Sequence, residues 1–139
     1  MTTDAPPPKP LPVPNEDTRV YWEACSRHEL LLQRCDACGQ VQFYPRALCS
    51  GCLSSDLSWQ KATGGGTVYS YTVVHRPPTP AFANDVPYVV ALIDLDEGVR
   101  MMSHVIDCPP EKVFVGQKVQ VAFRDESPEI SLPVFRPRE

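Results

Sequence analysis

The chain has 139 residues, 42% of them hydrophobic, with 13 Lys and Arg against 17 Asp and Glu, for a formal net charge of −4. That length suits one ordinary domain or two very small ones, with enough apolar residues for a real core. The acidic balance argues against nucleic acid as the main partner, because phosphate binding wants a basic surface, and no run of about 18 apolar residues is present to span a membrane.

The chain opens with Asp4 and then prolines, without a basic region followed by an apolar run. A secretory leader is therefore not expected. Pro6, Pro7, Pro8, Pro10, Pro12 and Pro14 deny residues 1–14 both helix and sheet, which predicts a proline-rich, flexible tail.

Residues 15–30 read as an N-terminal helix. Asn15 or Asp17 can cap it, and Glu16 and Asp17 suit a first turn. It is expected to run to about His28. Tyr21, Ala24, Cys25 and His28 recur at three- and four-residue spacing on one face, and Val20 and Trp22 widen the apolar surface. Two destinations stay open for so much aromatic area: the chain's own core, or another subunit. Tyr and Trp commonly anchor interfaces, so Tyr21, Trp22, Cys25 and His28 are candidate partner contacts.

Residues 31–60 carry the densest chemistry. After a short predicted strand, Leu30–Arg34, come Cys35-Asp36-Ala37-Cys38-Gly39 and then Cys49-Ser50-Gly51-Cys52. Each C-x2-C pair can hold two corners of a tetrahedron, and the connection lets the second pair fold back on the first. Four thiolates make a closed structural Zn2+ site, one per chain, with no open position for substrate. Rubredoxin-type iron uses the same ligands, so spacing alone leaves iron open. Two disulfides are the other reading, opposed by the absence of a leader and by the short spacing. Gly39 and Gly51 are expected to supply the loose backbone of the knuckles. Phe43 and Tyr44 are expected to cover the site. Arg46 is either solvated or directed at an acidic or phosphate-bearing partner, which places Phe43 and Arg46 with the candidate partner contacts. Cys25 and Cys108 are left over and read as small buried residues. Cysteines used this way point to a reducing, cytoplasmic location.

Residues 61–139 change character. Gly64-Gly65-Gly66 marks a turn or bulge and lacks the phosphate-loop pattern. Strands are predicted at Thr67–Val74, Tyr88–Leu95, Val99–Ile106, Lys118–Phe123 and Ser131–Arg136, with a tight turn at Asp96-Glu97-Gly98. Five strands opening on a glycine-rich segment suit a small closed barrel, an OB-fold or an SH3-like one. The connection from His75 to Pro87 holds four prolines with Phe82 among them. A stiff loop presenting an aromatic ring binds at low entropic cost. His75, Arg76 and Phe82 are therefore candidates for a ligand or substrate entrance. None of His28, His75 and His104 sits in a local motif with a nucleophile and an acid.

Taken together, these segments resemble the family long called domain of unknown function 35, in which a rubredoxin-like zinc ribbon precedes an OB-fold. The resemblance rests on Leu31-Leu32-Gln33-Arg34 leading into the first knuckle, Tyr44-Pro45-Arg46 before the second, and the barrel entry Gly64 to Arg76. Pro87 to Gly98 and Gly116-Gln117-Lys118-Val119 complete it. It implies a mainly β protein with an N-terminal helix, a zinc ribbon and a five-stranded OB-fold. It also implies an accessory subunit, not catalytic alone, of a thiolase-like, lipid-transfer-protein-like or hydratase enzyme acting on CoA thioesters. By that resemblance the zinc at Cys35, Cys38, Cys49 and Cys52 is structural; symmetry makes a heterotetramer, two copies around a dimeric partner, the expectation, and His75, Arg76 and Phe82 are the candidates for CoA contact. The competing class is an OB-fold that binds single-stranded nucleic acid, with Tyr69, Tyr71 and Phe123 as stacking platforms.

Overall fold

The computed structural model describes residues 8–138. The first half of the expected tail, residues 1–7, lies outside the described residues. Residues 8–14 form no helix or strand, as their prolines dictate. They are nevertheless tied down: Lys9 Nζ meets Asp85 Oδ2 at 2.6 Å and stands over the Phe82 ring at 5.7 Å.

The helix α1 spans Arg19–Ser26 and is shorter than the sequence pattern suggests. Its acidic candidates lie in a separate turn before it. Asn15 Oδ1 accepts from the backbone N–H groups of Asp17 and Thr18, and Asn15 N–H donates to Thr18 Oγ1. This local ring of bonds competes with helix formation. The C-terminal end closes as a Schellman motif. Glu29 N–H donates to Ala24 O, His28 N–H donates to Cys25 O, and His28 takes the left-handed position at φ 61°.

Two sheets follow. Strand β1 (Leu31–Cys35) pairs antiparallel with β2 (Val41–Gln42) on one side and β3 (Leu57–Lys61) on the other. β2 and β3 were not predicted as strands. β2 is only two residues long, and β3 shows no clean alternation of burial. The second sheet is a closed barrel of β4 (Gly65–Val74), β5 (Tyr88–Leu95), β6 (Arg100–Val105), β7 (Lys118–Asp125) and β8 (Ser131–Pro137). Its circular order is β4-β5-β6-β8-β7, with β7 returning to β4. Three meander strands followed by a swapped pair, with β6 and β8 parallel, is the OB-fold arrangement. Closure leaves the sheet no free outer edge.

Alternation explains the barrel interior. β5 buries Val89, Ala91, Ile93 and Leu95 and turns the intervening residues outward. One apolar cluster joins both units. Tyr21, Trp22, Cys25, Leu30 and Leu32 from the helix and ribbon are continuous with Ala62, Val68, Met101, Val119 and Phe135 of the barrel. No described helix is long and apolar enough to cross a membrane.

Candidate metal centre and its surroundings

The four cysteines of the two C-x2-C pairs converge, their Sγ atoms all within 4.8 Å of one another. Cys35 and Cys52 sulfurs are 3.5 Å apart, and those of Cys38 and Cys49 are 3.7 Å apart. A tetrahedron of Zn–S bonds near 2.3 Å has edges of about 3.8 Å, so these thiols fit a four-coordinate metal. A disulfide would need sulfurs near 2 Å; all six cysteines are free. Cys35 and Cys49 are buried, whereas Cys38 and Cys52 are exposed.

The two knuckles are built alike. Gly39 N–H donates to Cys35 O at 2.7 Å, and Leu53 N–H donates to Cys49 O at 3.0 Å. In both, the residue after the second cysteine is left-handed, Gly39 at φ 80° and Leu53 at φ 65°. The second knuckle thus places Leu, not glycine, where backbone freedom is needed. Gly51 serves a different purpose from the one expected. A Cβ there would run into the Gln40 side chain, whose amide donates to Ser50 Oγ at 2.9 Å. The backbone N–H groups of Cys52 and Gly51 lower the Cys49 thiol pKa, while hydrogen bonding with the Cys35 sulfur raises that of Cys52.

Beneath the metal site lies a polar network that sequence reasoning missed. Gln33 and Gln42 are both buried, and Gln42 Nε2 donates to Gln33 Oε1 at 2.8 Å. Gln33 Oε1 also accepts from Arg46 N–H, and Gln33 Nε2 donates to Arg46 O. Gln42 Oε1 accepts from Ser50 N–H at 2.8 Å. Two glutamines thereby hold both ends of the loop into the second knuckle. Their only sequence signal is a polar side chain in a strand flanking the cysteines.

The candidate partner contacts divide. Tyr21, Trp22 and Cys25 are buried within the chain's own core, with relative exposures of 1%, 7% and 0%. Trp22 Nε1–H donates to Tyr44 Oη at 2.8 Å, and Tyr21 packs edge-on against both Trp22 and Tyr44. Burial pushes the Cys25 thiol up to about 11, which favours the protonated form. Phe43 is half-buried beside Tyr21, while Arg46 and His28 are exposed. His28 Nε2 meets Asp125 Oδ1 at 2.9 Å, and its ring stacks on Phe123 at 5.2 Å. The apolar surface left around the ribbon is Tyr44, Leu48 and Leu53.

His75 and Arg76 follow the end of β4 and are exposed. Phe82 is half-buried rather than freely displayed. It lies between Lys9 and Tyr88, and Tyr88 stacks on His104 with ring planes 1° apart. Burial, then the Arg124 charge, lowers the His104 pKa. Cys108 is half-buried and lies 3.8 Å from Gln117 Nε2. Of the three rings considered for stacking nucleobases, Phe123 is already covered by His28, and Tyr69 lies over Arg100, which is itself paired with Asp94. Tyr71 is exposed.

Comparison with known proteins agrees with this architecture. Residues 22–58 match the rubredoxin-like zinc ribbon domain of ChsH2, and residues 59–124 match the ChsH2 C-terminal OB-fold domain. A "DUF35 domain-containing scaffold protein" of Methanocaldococcus jannaschii is 40% identical over 107 residues, covering 76% of this chain and 75% of that protein. A "probable enoyl-CoA hydratase alpha subunit" of Thermomonospora curvata is 41% identical over 93% of this chain, which spans only 40% of that relative's length. Among solved structures, a chain titled "Ltp2-ChsH2(DUF35) aldolase" is 41% identical with a TM-score of 0.82, covering 91% of this chain and 98% of that one. With helix, four-cysteine ribbon and OB barrel in the same order and matched almost end to end, the chain belongs to the DUF35/ChsH2 family.

Proposed function

We propose that this chain is a zinc-bearing, non-catalytic accessory subunit of a thiolase-superfamily enzyme acting on CoA thioesters, by thiolysis of a 3-oxoacyl-CoA or by retro-aldol cleavage. The observation that carries the reading is the near full-length likeness to the chain titled "Ltp2-ChsH2(DUF35) aldolase". That name sets a DUF35 protein beside a second component. The site chemistry is in keeping with it. A closed four-thiolate centre has no position for substrate. Among the described residues, no histidine is hydrogen-bonded to a cysteine or serine that it could activate.

In this reading the subunit stabilises its partner and shapes the entrance for CoA and the acyl chain. Tyr44, Leu48, Leu53, Phe43, Arg46 and His28 lie on the partner-facing side, and His75, Arg76 and Phe82 are nearest the entrance. Two copies around a dimeric catalytic subunit, in the cytoplasm, complete the proposal.

The test is recovery of the tagged chain from its native source, with the co-purifying protein identified and the complex weighed. A stoichiometric thiolase-like partner is expected. Recovery of the chain alone at every salt concentration would remove the proposal.

A further inference from the structure

The barrel seam between β6 and β8 is closed by one parallel bridge, Val105 to Phe135. Nearer the start of β6 the strands are joined by Ser103 Oγ donating to the Pro133 carbonyl at 2.9 Å. The helix and ribbon aromatics roof this stretch. Between them lies a cleft of about 260 Å3, bounded by Trp22, Tyr44, Met101, Met102, Leu132 and Val134. Ligand pockets run from roughly 300 to 1,000 Å3; this one falls just below that range, so its occupant must be small.

Besides Ser103, whose hydroxyl is spent on the Pro133 carbonyl, the polar residues in that lining include His104 and Arg124. They also line a neighbouring cleft of about 280 Å3 with Asp85, Tyr88 and Cys108. Arg124 Nε donates to Glu126 Oε1 at 2.7 Å, which fixes the guanidinium from one side. Among the described residues, its two terminal nitrogens have no hydrogen-bond partner. Neither ring nitrogen of His104 has one either, although its imidazole is held flat by Tyr88. The nearby carboxylates are already engaged, Glu126 with Arg124 and Asp85 with Lys9. An apolar trough that ends at a fixed guanidinium fork with free donors is complementary to a carboxylate on an apolar chain.

We infer that this seam cleft binds a small amphipathic carboxylate, its body along Met102 and Leu132 and its oxygens on Arg124, with His104 as a second donor. The inference does not rest on the accessory-subunit reading. The pull-down can fail while this site stands, and the reverse holds equally.

The experiment is a titration of the full zinc-loaded chain with octanoate, followed by Trp22 fluorescence and by amide and methyl NMR. Saturable shifts are expected at Met101, Met102, His104 and Trp22. Octanamide, which lacks the charge, is expected to bind about ten-fold or more weakly, as is octanoate to the Arg124→Gln variant, each having lost a charge-assisted hydrogen bond. Met102→Glu places a like charge in the apolar part of the cleft from an exposed position. It keeps the test usable if Arg124→Gln fails to fold, and it is expected to abolish octanoate binding. The inference is overturned by no saturable change up to the solubility of octanoate, by shifts confined to other surfaces, or by equal affinity for acid and amide. Unchanged binding by Met102→Glu also overturns it.

Discussion

The indole N–H of Trp22 donates to the Tyr44 hydroxyl at 2.8 Å, joining α1 to the loop that separates the two metal knuckles. Trp22 is thus a structural bolt between the helix and the metal-binding unit. Trp22→Ala is expected to cost the isolated chain roughly 3–5 kcal/mol, whereas Tyr44→Phe removes one hydrogen bond and costs about 1 kcal/mol. Denaturant melts of the purified chain measure both. A Trp22→Ala chain with unchanged midpoint that fails only to assemble would contradict this placement.

Leu53 holds a left-handed conformation that glycine holds at the equivalent Gly39. A side chain in that region costs roughly 1–2 kcal/mol, and glycine's extra unfolded-state freedom gives back about half of it. Leu53 is 71% exposed, so little packing is lost with its side chain. Leu53→Gly is expected to raise stability by roughly 0.5–1 kcal/mol without changing metal content. Gly39→Ala is expected to lower it. Paired melting curves with metal analysis check the two together.

The metal itself is expected to hold the ribbon. In Cys49→Ser, metal content should fall well below one per chain, and amide exchange in residues 31–60 should rise sharply while the barrel strands stay protected. Chelator added to the native chain should reproduce the pattern. Full metal occupancy in the variant would refute the four-thiolate assignment.

Gln33 offers an acceptor to Arg46 N–H and Gln42 Nε2 and donates to Arg46 O. Gln33→Leu leaves these partners buried and unmatched, which costs roughly 1–3 kcal/mol. Loosening should appear in the loop 43–50 first, as faster exchange of the Arg46 and Ser50 amides.

Acid sensitivity should report on His104. Burial and the Arg124 charge depress its pKa in the folded chain, so between the folded and unfolded values the unfolded chain binds more protons. Its contribution to stability is present above the ordinary histidine value, about 6.5, and is lost as pH falls through the lower folded value. The drop in Tm between neutral pH and the low fives is expected to be smaller in His104→Gln than in the parent. An equal drop would show that His104 titrates normally.

The metal ligands were legible because their chemistry is local: two C-x2-C pairs state their own geometry. The barrel strands were legible for a related reason: Tyr88–Leu95 is an almost continuous apolar run, and Val119, Val121 and Phe123 recur on one face of the strand Lys118–Phe123. What escaped were features set by distant partners. Gln33 reads as an ordinary strand residue until Arg46 and Gln42 close on it. Trp22 was open between core and interface because Tyr44 lies on another element. The helix start slipped from Asn15 to Arg19 because Asn15 bonds its own turn. Gly51 looked like a flexible knuckle residue, yet the left-handed position is Leu53, and no propensity rule nominates leucine there.

Helix α1 is covered by a strand far later in the sequence. Helix α1 packs on β8, Ser26 Oγ bonds to Glu129 O, and Lys9 waits for Asp85. During synthesis the ribbon residues leave the ribosome before β8 and can close around metal, while the helix beside them has only the ribbon's part of its docking surface. Tyr21 can already pack on Phe43 and Tyr44 of the ribbon, but the part of the helix that meets β8 waits for residues 131–137. Strand β8 therefore completes the cover of α1, and loss of residues 131–137 should expose that face and send chains to chaperones and proteases even though every metal ligand is intact.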